Sequence, residues 1–277
     1  MNIAFYGKGG IGKSTIAANV SAECGAAGKK VLHIGCDPKA DSTRLLVNKK
    51  IPTVLQMLES KGNALSRNDI IYQGKNGVYC VEAGGPHAGV GCAGLGITAA
   101  MKELERLQVF QEKWDLVVYD VLGDVVCGGF SVPMRKHYAD KVFIVSSIDY
   151  MSLYAANNIL QGCIRYSGNQ KKLVGGLILN HVKNEQEEKI GALFAKYTGI
   201  SIEACLEEST QMRLADYQNH LFTEKELNGN NTCEIKNLVR KITANDWNVR
   251  QMKTVHAMEQ EEMEQFRAGI FESGWLV

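Results

Sequence analysis

A short apolar run, Ile3-Ala4-Phe5-Tyr6, passes directly into Gly7-Lys8-Gly9-Gly10-Ile11-Gly12-Lys13-Ser14 and then into a helical pattern. No other stretch limits the architecture as strongly, because strand, glycine loop and helix in this order fit the phosphate loop G-x-x-x-x-G-K-[ST] and require an α/β frame. Gly7, Gly9, Gly10 and Gly12, with Ile11 among them, let backbone N–H groups curl around a β-phosphate with no Cβ in the way. Lys13 is expected to reach the β- and γ-phosphates and Ser14 to ligate Mg²⁺, with Thr15 counted as part of the same nucleotide-binding loop. The positive end of the helix adds to the stabilisation of the anion. The loop carries a second lysine, Lys8, at its outer lip. Its own subunit has little need of it there, and it is expected to reach nucleotide bound to a second copy of the chain. The sequence therefore predicts a nucleoside triphosphate site.

The rest of the chain agrees with that frame. Ile3–Tyr6, Val31–Gly35, Val78–Glu82, Leu116–Asp120, Val142–Ser146 and Leu173–Leu179 are short, apolar and rich in β-branched residues. Amphipathic segments lie between them, among them Ser14–Ala27, Thr98–Gln108, Ser152–Tyr166 and Glu185–Lys196. Strands buried on both faces and spaced by helices predict a mostly parallel sheet flanked by helices on both faces. With no linker or repeat visible, residues 1–277 are expected to form a single domain, a P-loop NTPase. In such sheets ligands bind beyond the carboxyl ends of the strands. The end of the chain, from Arg240 to Val277, reads as helical and rather acidic, solvated at the surface over a small local core.

Charge narrows the function classes. The net charge of +1 argues against general affinity for nucleic acid or an anionic membrane. No apolar stretch approaches the roughly 20 residues of a spanning helix, and a strand beginning by residue 3 leaves no room for a signal peptide. The expectation is a cytoplasmic protein that binds neither membrane nor nucleic acid.

Two acidic segments complete a nucleotide switch. Gly35-Cys36-Asp37-Pro38-Lys39-Ala40-Asp41-Ser42-Thr43 follows the second strand, and Leu116-Val117-Val118-Tyr119-Asp120 is an apolar strand ending in aspartate. An aspartate in that second setting holds Mg²⁺ through water in P-loop enzymes. The assignments are Asp37 for orienting the attacking water, Asp41 and Asp120 for the Mg²⁺ shell, Lys39 for the nucleotide, and Asp124 for sensing the γ-phosphate.

Eight cysteines stand singly at positions 24, 36, 80, 92, 127, 163, 205 and 233, with no C-x-x-C. That spacing argues against a disulfide framework and against a zinc site built within one chain. Cys92 in Gly91-Cys92-Ala93-Gly94 and Cys127 in Cys127-Gly128-Gly129 have glycine neighbours that permit close approach to a bulky anion such as an iron–sulfur cluster. A [4Fe–4S] cluster takes four thiolates, so two such cysteines point to a cluster shared across the two-fold axis of a homodimer. The other six read as core or strand-end thiols, Cys36 and Cys80 serving only packing. Seven residues separate Asp120 from Cys127, a tether of at most about 25 Å. Movement of the backbone at Asp124 would therefore carry over to the cluster.

Gly7–Ser14, Cys36–Arg44, Gly84-Gly85-Pro86, Gly89–Gly94, Tyr119–Phe130 and Tyr154-Ala155-Ala156-Asn157-Asn158 together resemble the nitrogenase iron protein (dinitrogenase reductase) family, over about three quarters of the chain. The resemblance implies a homodimer with one [4Fe–4S] cluster held by Cys92 and Cys127 of each subunit, MgATP bound in each subunit, and Lys8 acting across the interface. It implies ATP-dependent transfer of one electron to a partner metalloenzyme, with a ferredoxin or flavodoxin upstream. Asn180 matches the family's adenine-contacting asparagine. Departures accompany the match. Leu95 replaces the arginine usual in G-C-A-G-R-G, Glu207-Glu208-Ser209 stands in place of P-R-D, and Arg213 takes the place of a common glutamine. Beyond about residue 205 the family signal is weak. The departures favour a nitrogenase-like donor, with a true dinitrogenase reductase as the alternative.

Two other classes share parts of the pattern. A partitioning-type ATPase switch has the same two-lysine loop but no use for Cys92 and Cys127, and the acidic Glu259–Glu262 does not suit its membrane or DNA contacts. An iron–sulfur scaffold ATPase usually carries a C-x-x-C motif, which is absent here.

Overall fold

The six expected strands lie side by side in one sheet. The structure, a computed structural model, describes residues 1–85, 93–123, 131–134, 138–167, 173–224, 229–244 and 255–275. The strands are β1 (Asn2–Tyr6), β2 (Val31–Cys36), β3 (Tyr72–Gln73), β4 (Tyr79–Glu82), β5 (Leu116–Val121), β6 (Lys141–Ser146), β7 (Val174–Val182) and β8 (Ile202–Glu207). The helices are α1 (Lys13–Ala26), α2 (Arg44–Val47), α3 (Val54–Lys61), α4 (Ala93–Arg106), α5 (Tyr150–Ser167), α6 (Glu185–Thr198), α7 (Thr210–Tyr217), α8 (Gly229–Thr243) and α9 (Gln260–Glu272).

The strand order is β3-β4-β2-β5-β1-β6-β7-β8, and every pairing is parallel except β3 with β4. β1 is therefore central, and its phosphate loop emerges between the ends of β5 and β6. Register brings Asp120 beside Phe5 on one side and Gly35 on the other, so the aspartate of β5 ends level with the loop. Alternation along β1 divides the core. Ile3 and Phe5 pack with Ile16 and Val20 of α1 and Leu238 and Ile242 of α8. Ala4 and Tyr6 face the opposite side, where Met101 of α4, Leu160 of α5, Phe194 of α6 and Phe266 of α9 gather. Helices thus cover both faces, as expected.

Local chemistry sets the helix ends. Gly12 stands in the left-handed region (φ 91°) immediately before α1. The Asn184 side chain accepts from Glu187 N–H at the start of α6, which has three glutamates in its first turn and ends at Gly199. Ser209 caps α7 through Met212 N–H.

Two strands were not expected. β3 has only two residues, too few to show a pattern. In β8 carboxylates at 203 and 207 interrupt the apolar run, yet Glu203 is buried because Lys241 of α8 pairs with it at 3.0 Å. The acidic end differs from expectation as well. Met263, Phe266 and Ile270 of α9 join the main core rather than a local one, with Phe266 against Phe194 and Tyr197 at 5.9 Å. Among the described residues no helix is long and apolar enough to cross a membrane.

Candidate functional site

The phosphate loop is held from below and from the side. A Cβ on Gly12 would lie 2.4 Å from the Asn180 amide nitrogen, which donates to Ile11 O at 2.8 Å. Asn180, on β7 and 2 % exposed, is thus a brace for the loop from a strand two places away. Its Oδ1 is buried without a hydrogen bond. Lys13 folds back into the loop, where its Nζ donates to Lys8 O at 3.2 Å. Lys8 itself is exposed at the lip.

Gly9, Gly10, Gly12, Lys13, Ser14 and Thr15 form one wall of a cavity of about 320 Å³, and Asp37, Lys39, Asp41 and Ser42 form the facing wall. The facing segment is a tight turn. Asp37 Oδ1 accepts from Lys39 N–H at 2.8 Å, and Ala40 N–H returns to Asp37 O at 3.0 Å with Ala40 at φ 52°. Burial pushes the Asp37 carboxyl above its usual range, opposed by the Lys39 N–H. Asp41 and Lys39 are exposed.

Asp120 is buried beside this cavity, with Oδ2 accepting from Ser42 Oγ at 2.5 Å. Its Oδ1 is buried with no hydrogen bond of its own. Burial raises its pKa, and the hydroxyls of Ser14 and Ser42 and the charge of Lys13 oppose the rise. A buried, unsatisfied carboxylate oxygen beside a lysine and a serine fits a water-bridged divalent cation. The cavity, the glycine cradle and this donor set fit a magnesium nucleotide.

Several features were not singled out from sequence. A Cβ on Gly123 would lie 1.8 Å from Gly7 O, so the turn after β5 rests on the phosphate loop. Arg44 ties α2 to the end of α7 through Asp216 at 3.0 Å and through Asn219, closing the far side of the cavity. A second polar hollow, about 330 Å³, lies on the other side of the loop. Lys8 and Ile11 line it together with Asp149, His181, Lys183 and Glu208. The signal for Gly123 was its place three residues after Asp120. The partners of Arg44 lie 172 and 175 residues away, where spacing gives no signal.

Asp124, Cys92 and Cys127 lie outside the described residues, as do Gly89, Gly91, Gly128 and Gly129, whereas Gly94 and Gly96 lie on α4. Cys24, Cys36, Cys80 and Cys163 are buried, and burial raises their thiol pKa values, to about 12 for Cys24 and Cys80. Protonated thiols are poor metal ligands, in keeping with a packing role for Cys36 and Cys80. Cys233 corrects the expectation of core or strand-end thiols, because it is exposed on α8. Among the described residues no group of three or more His, Cys, Asp or Glu is placed to hold a metal ion.

The sequence model described as 4Fe-4S iron sulfur cluster binding proteins, NifH/frxC family, matches residues 1–269. The chain belongs to that family. The match runs well past residue 205, so the weak signal expected there is corrected: α8 and most of α9 lie within it. The nitrogenase iron protein of Methanospirillum hungatei is 47% identical over 247 residues, covering 88% of each chain. Nitrogenase iron protein 2 of Methanothermobacter thermautotrophicus is 43% identical over 264 residues, covering 95% of this chain and 96% of the relative. Among solved structures, the MinD cell division protein of Aquifex aeolicus superposes with a TM-score of 0.67 at 17% identity, covering 88% of this chain and 96% of that one. At that identity the likeness is one of fold alone, a mostly parallel sheet with helices on both faces. The family supports a nitrogenase-type reductase and carries with it a 4Fe-4S cluster, MgATP and a homodimer.

Proposed function

We propose that this protein is an ATP-dependent electron donor: a homodimer in which MgATP hydrolysis drives one-electron transfer from a shared [4Fe–4S] cluster to a partner metalloenzyme. The observation that carries the coupling is the contact of Gly123 with Gly7. It places the second residue after β5 against the phosphate loop, four residues before Cys127 in sequence. A change in the loop that accompanies loss of the γ-phosphate is therefore felt first at Gly123.

In this reading Gly7 to Thr15 cradle the phosphates, and Lys13 neutralises charge developing on the transferred phosphoryl group. Lys8, exposed at the lip, completes the partner subunit's site. Ser14, Asp41 and Asp120 hold the Mg²⁺ shell, Asp37 orients the attacking water, and Lys39 and Asn180 contact the nucleotide. Asp124 senses the γ-phosphate. Cys92 and Cys127 of both subunits supply four thiolates for the cluster, which provides the single electron. A ferredoxin or flavodoxin reloads it, and the setting is the cytoplasm.

The partner class rests on Leu95. It is 71% exposed on α4, three residues after Cys92. An apolar side chain so close to the cluster ligand suits a docking surface unlike one built for arginine, which favours a nitrogenase-like partner. The names of the curated relatives favour nitrogenase itself as the second reading.

Two measurements test this. Iron content and the cluster's electron paramagnetic signal should be lost in Cys92→Ser while nucleotide binding persists; full iron in that variant would remove Cys92 from the ligand set. Anaerobic capture of partners, with the dimer locked by ADP and a phosphoryl transition-state mimic, should recover a metalloenzyme of nitrogenase-like type. Recovery of nitrogenase component subunits would establish the second reading instead.

A further inference from the structure

Behind Asp120 runs a line of buried polar side chains drawn from three parts of the fold: Ser21 on α1, His33 on β2 and Ser42 in the loop after β2. Ser21 Oγ lies 2.8 Å from His33 Nδ1, and His33 Nε2 lies 2.8 Å from Ser42 Oγ. Ser42 Oγ then meets Asp120 Oδ2 at 2.5 Å. Exposure along the line is 0, 0, 1 and 2 %, so no solvent can substitute for a missing partner. An imidazole within β2, between Val118 of β5 and Cys80 of β4, is costly to bury unless its two nitrogens are used.

Counting protons gives the line a direction. Burial holds the His33 pKa down at about 3, so the ring is neutral, with one N–H donor and one acceptor nitrogen. Ser42 Oγ donates its single proton to Asp120 Oδ2 at 2.5 Å. Ser42 Oγ can then only accept from His33, which makes Nε2 the protonated nitrogen. His33 Nδ1 must in turn accept from the Ser21 hydroxyl. The other tautomer would reverse the line, with Nε2 accepting from Ser42 and Nδ1–H donating to Ser21. The tautomer of one buried histidine thus reports the direction of the whole line.

We propose that Ser21, His33 and Ser42 form a directional hydrogen-bond relay that aims Asp120, occupying Oδ2 and leaving Oδ1 to face a Mg²⁺-bound water. Oδ1 is the buried oxygen without a hydrogen bond of its own. His33 is a positioning residue: it touches neither nucleotide nor metal, and acts by fixing the Ser42 hydroxyl. The role rests on the Mg²⁺ function proposed above for Asp120, whereas the direction of the bonds does not.

The first test needs no variant. In ¹⁵N-histidine-labelled, full-length protein kept anaerobic and free of nucleotide, long-range ¹H–¹⁵N correlation should show His33 as the Nε2–H tautomer. An Nδ1–H tautomer would overturn the relay. The second test titrates Mg²⁺ against ADP binding. His33→Leu should raise the Mg²⁺ concentration needed by about tenfold, the low end of what outer partners of metal ligands contribute, with metal-free ADP binding unchanged. His33→Gln, whose amide nitrogen can still donate to Ser42, should restore most of it. Equal Mg²⁺ dependence in the wild type and His33→Leu, or no rescue by His33→Gln, would refute the positioning role. Should His33→Leu fail to fold, Ser42→Ala breaks the same line at the next bond and must give the same shift. If the wild type itself binds ADP without regard to Mg²⁺, the metal assignment of Asp120 falls, and the tautomer still decides the relay.

Discussion

Gly123 shows how a residue with no side chain can be the tightest point of a site. Any Cβ there would sit 1.8 Å from the Gly7 carbonyl oxygen, a backbone atom that cannot move without moving the phosphate loop. Gly123→Ala is therefore expected to weaken MgATP binding by at least tenfold, about 1.4 kcal/mol, with helix and strand content unchanged by circular dichroism. Wild-type affinity by calorimetry would mean that the loop relaxes freely and transmits nothing. Lys13 acts through charge instead. Lys13→Ala should cost several kcal/mol of transition-state stabilisation, on the order of a hundredfold or more in ATP turnover, and unchanged turnover would remove the phosphate loop from the mechanism. At this scale sequence marked the groups that line one cavity, because the spacing from Gly7 to Ser14 is that of a phosphate loop. It was silent on Gly123 against Gly7, on Asn180 bracing Ile11 and on Arg44 meeting Asp216. Those contacts join positions 116 to 172 residues apart, and local pattern carries no trace of them.

Among the elements, the central strands were legible because burial on both faces leaves an unbroken apolar run. The edges were not. β8 hides a carboxylate, Glu203, whose burial makes sense only once Lys241 from α8 reaches it, and β3 is too short to be periodic. Helix starts were better marked. Asn184 before Glu185, Glu187 and Glu188 combines a capping side chain with negative charge at the positive helix end. Asn184→Ala should lower stability by about 1 kcal/mol, read as a shift of the urea midpoint with its slope unchanged. An unmoved midpoint would show that packing of Ile190 and Phe194, rather than the cap, fixes the start of α6.

For the molecule as a whole, one buried carboxyl couples stability to pH. Glu82 at the end of β4 is fully buried. Its Oε1 accepts from both Thr43 N–H and Thr43 Oγ1 at 2.7 Å, anchoring the loop that carries Asp37 and Asp41, while Oε2 is buried without a partner. Burial pushes its pKa from 4.5 to about 8, with the two Thr43 bonds opposing the rise. Between those values the folded protein keeps a proton that the unfolded chain has already lost, so stability falls as pH rises. The slope is at most about 1.4 kcal/mol per pH unit. Below pH 4.5 both states are protonated and above pH 8 neither is, so the effect is confined to that window. Glu82→Gln keeps the acceptor for Thr43 and has no proton to lose. The variant should match the wild type near pH 5 and become progressively more stable than it up to pH 8, as judged by denaturant midpoints measured at several pH values without oxygen. The comparison cancels every other titrating group, since both proteins carry them alike. Parallel stability curves across the range would show that Glu82 is already ionised in the fold, and that the Asp37–Thr43 loop is anchored to a charge rather than to a neutral acid.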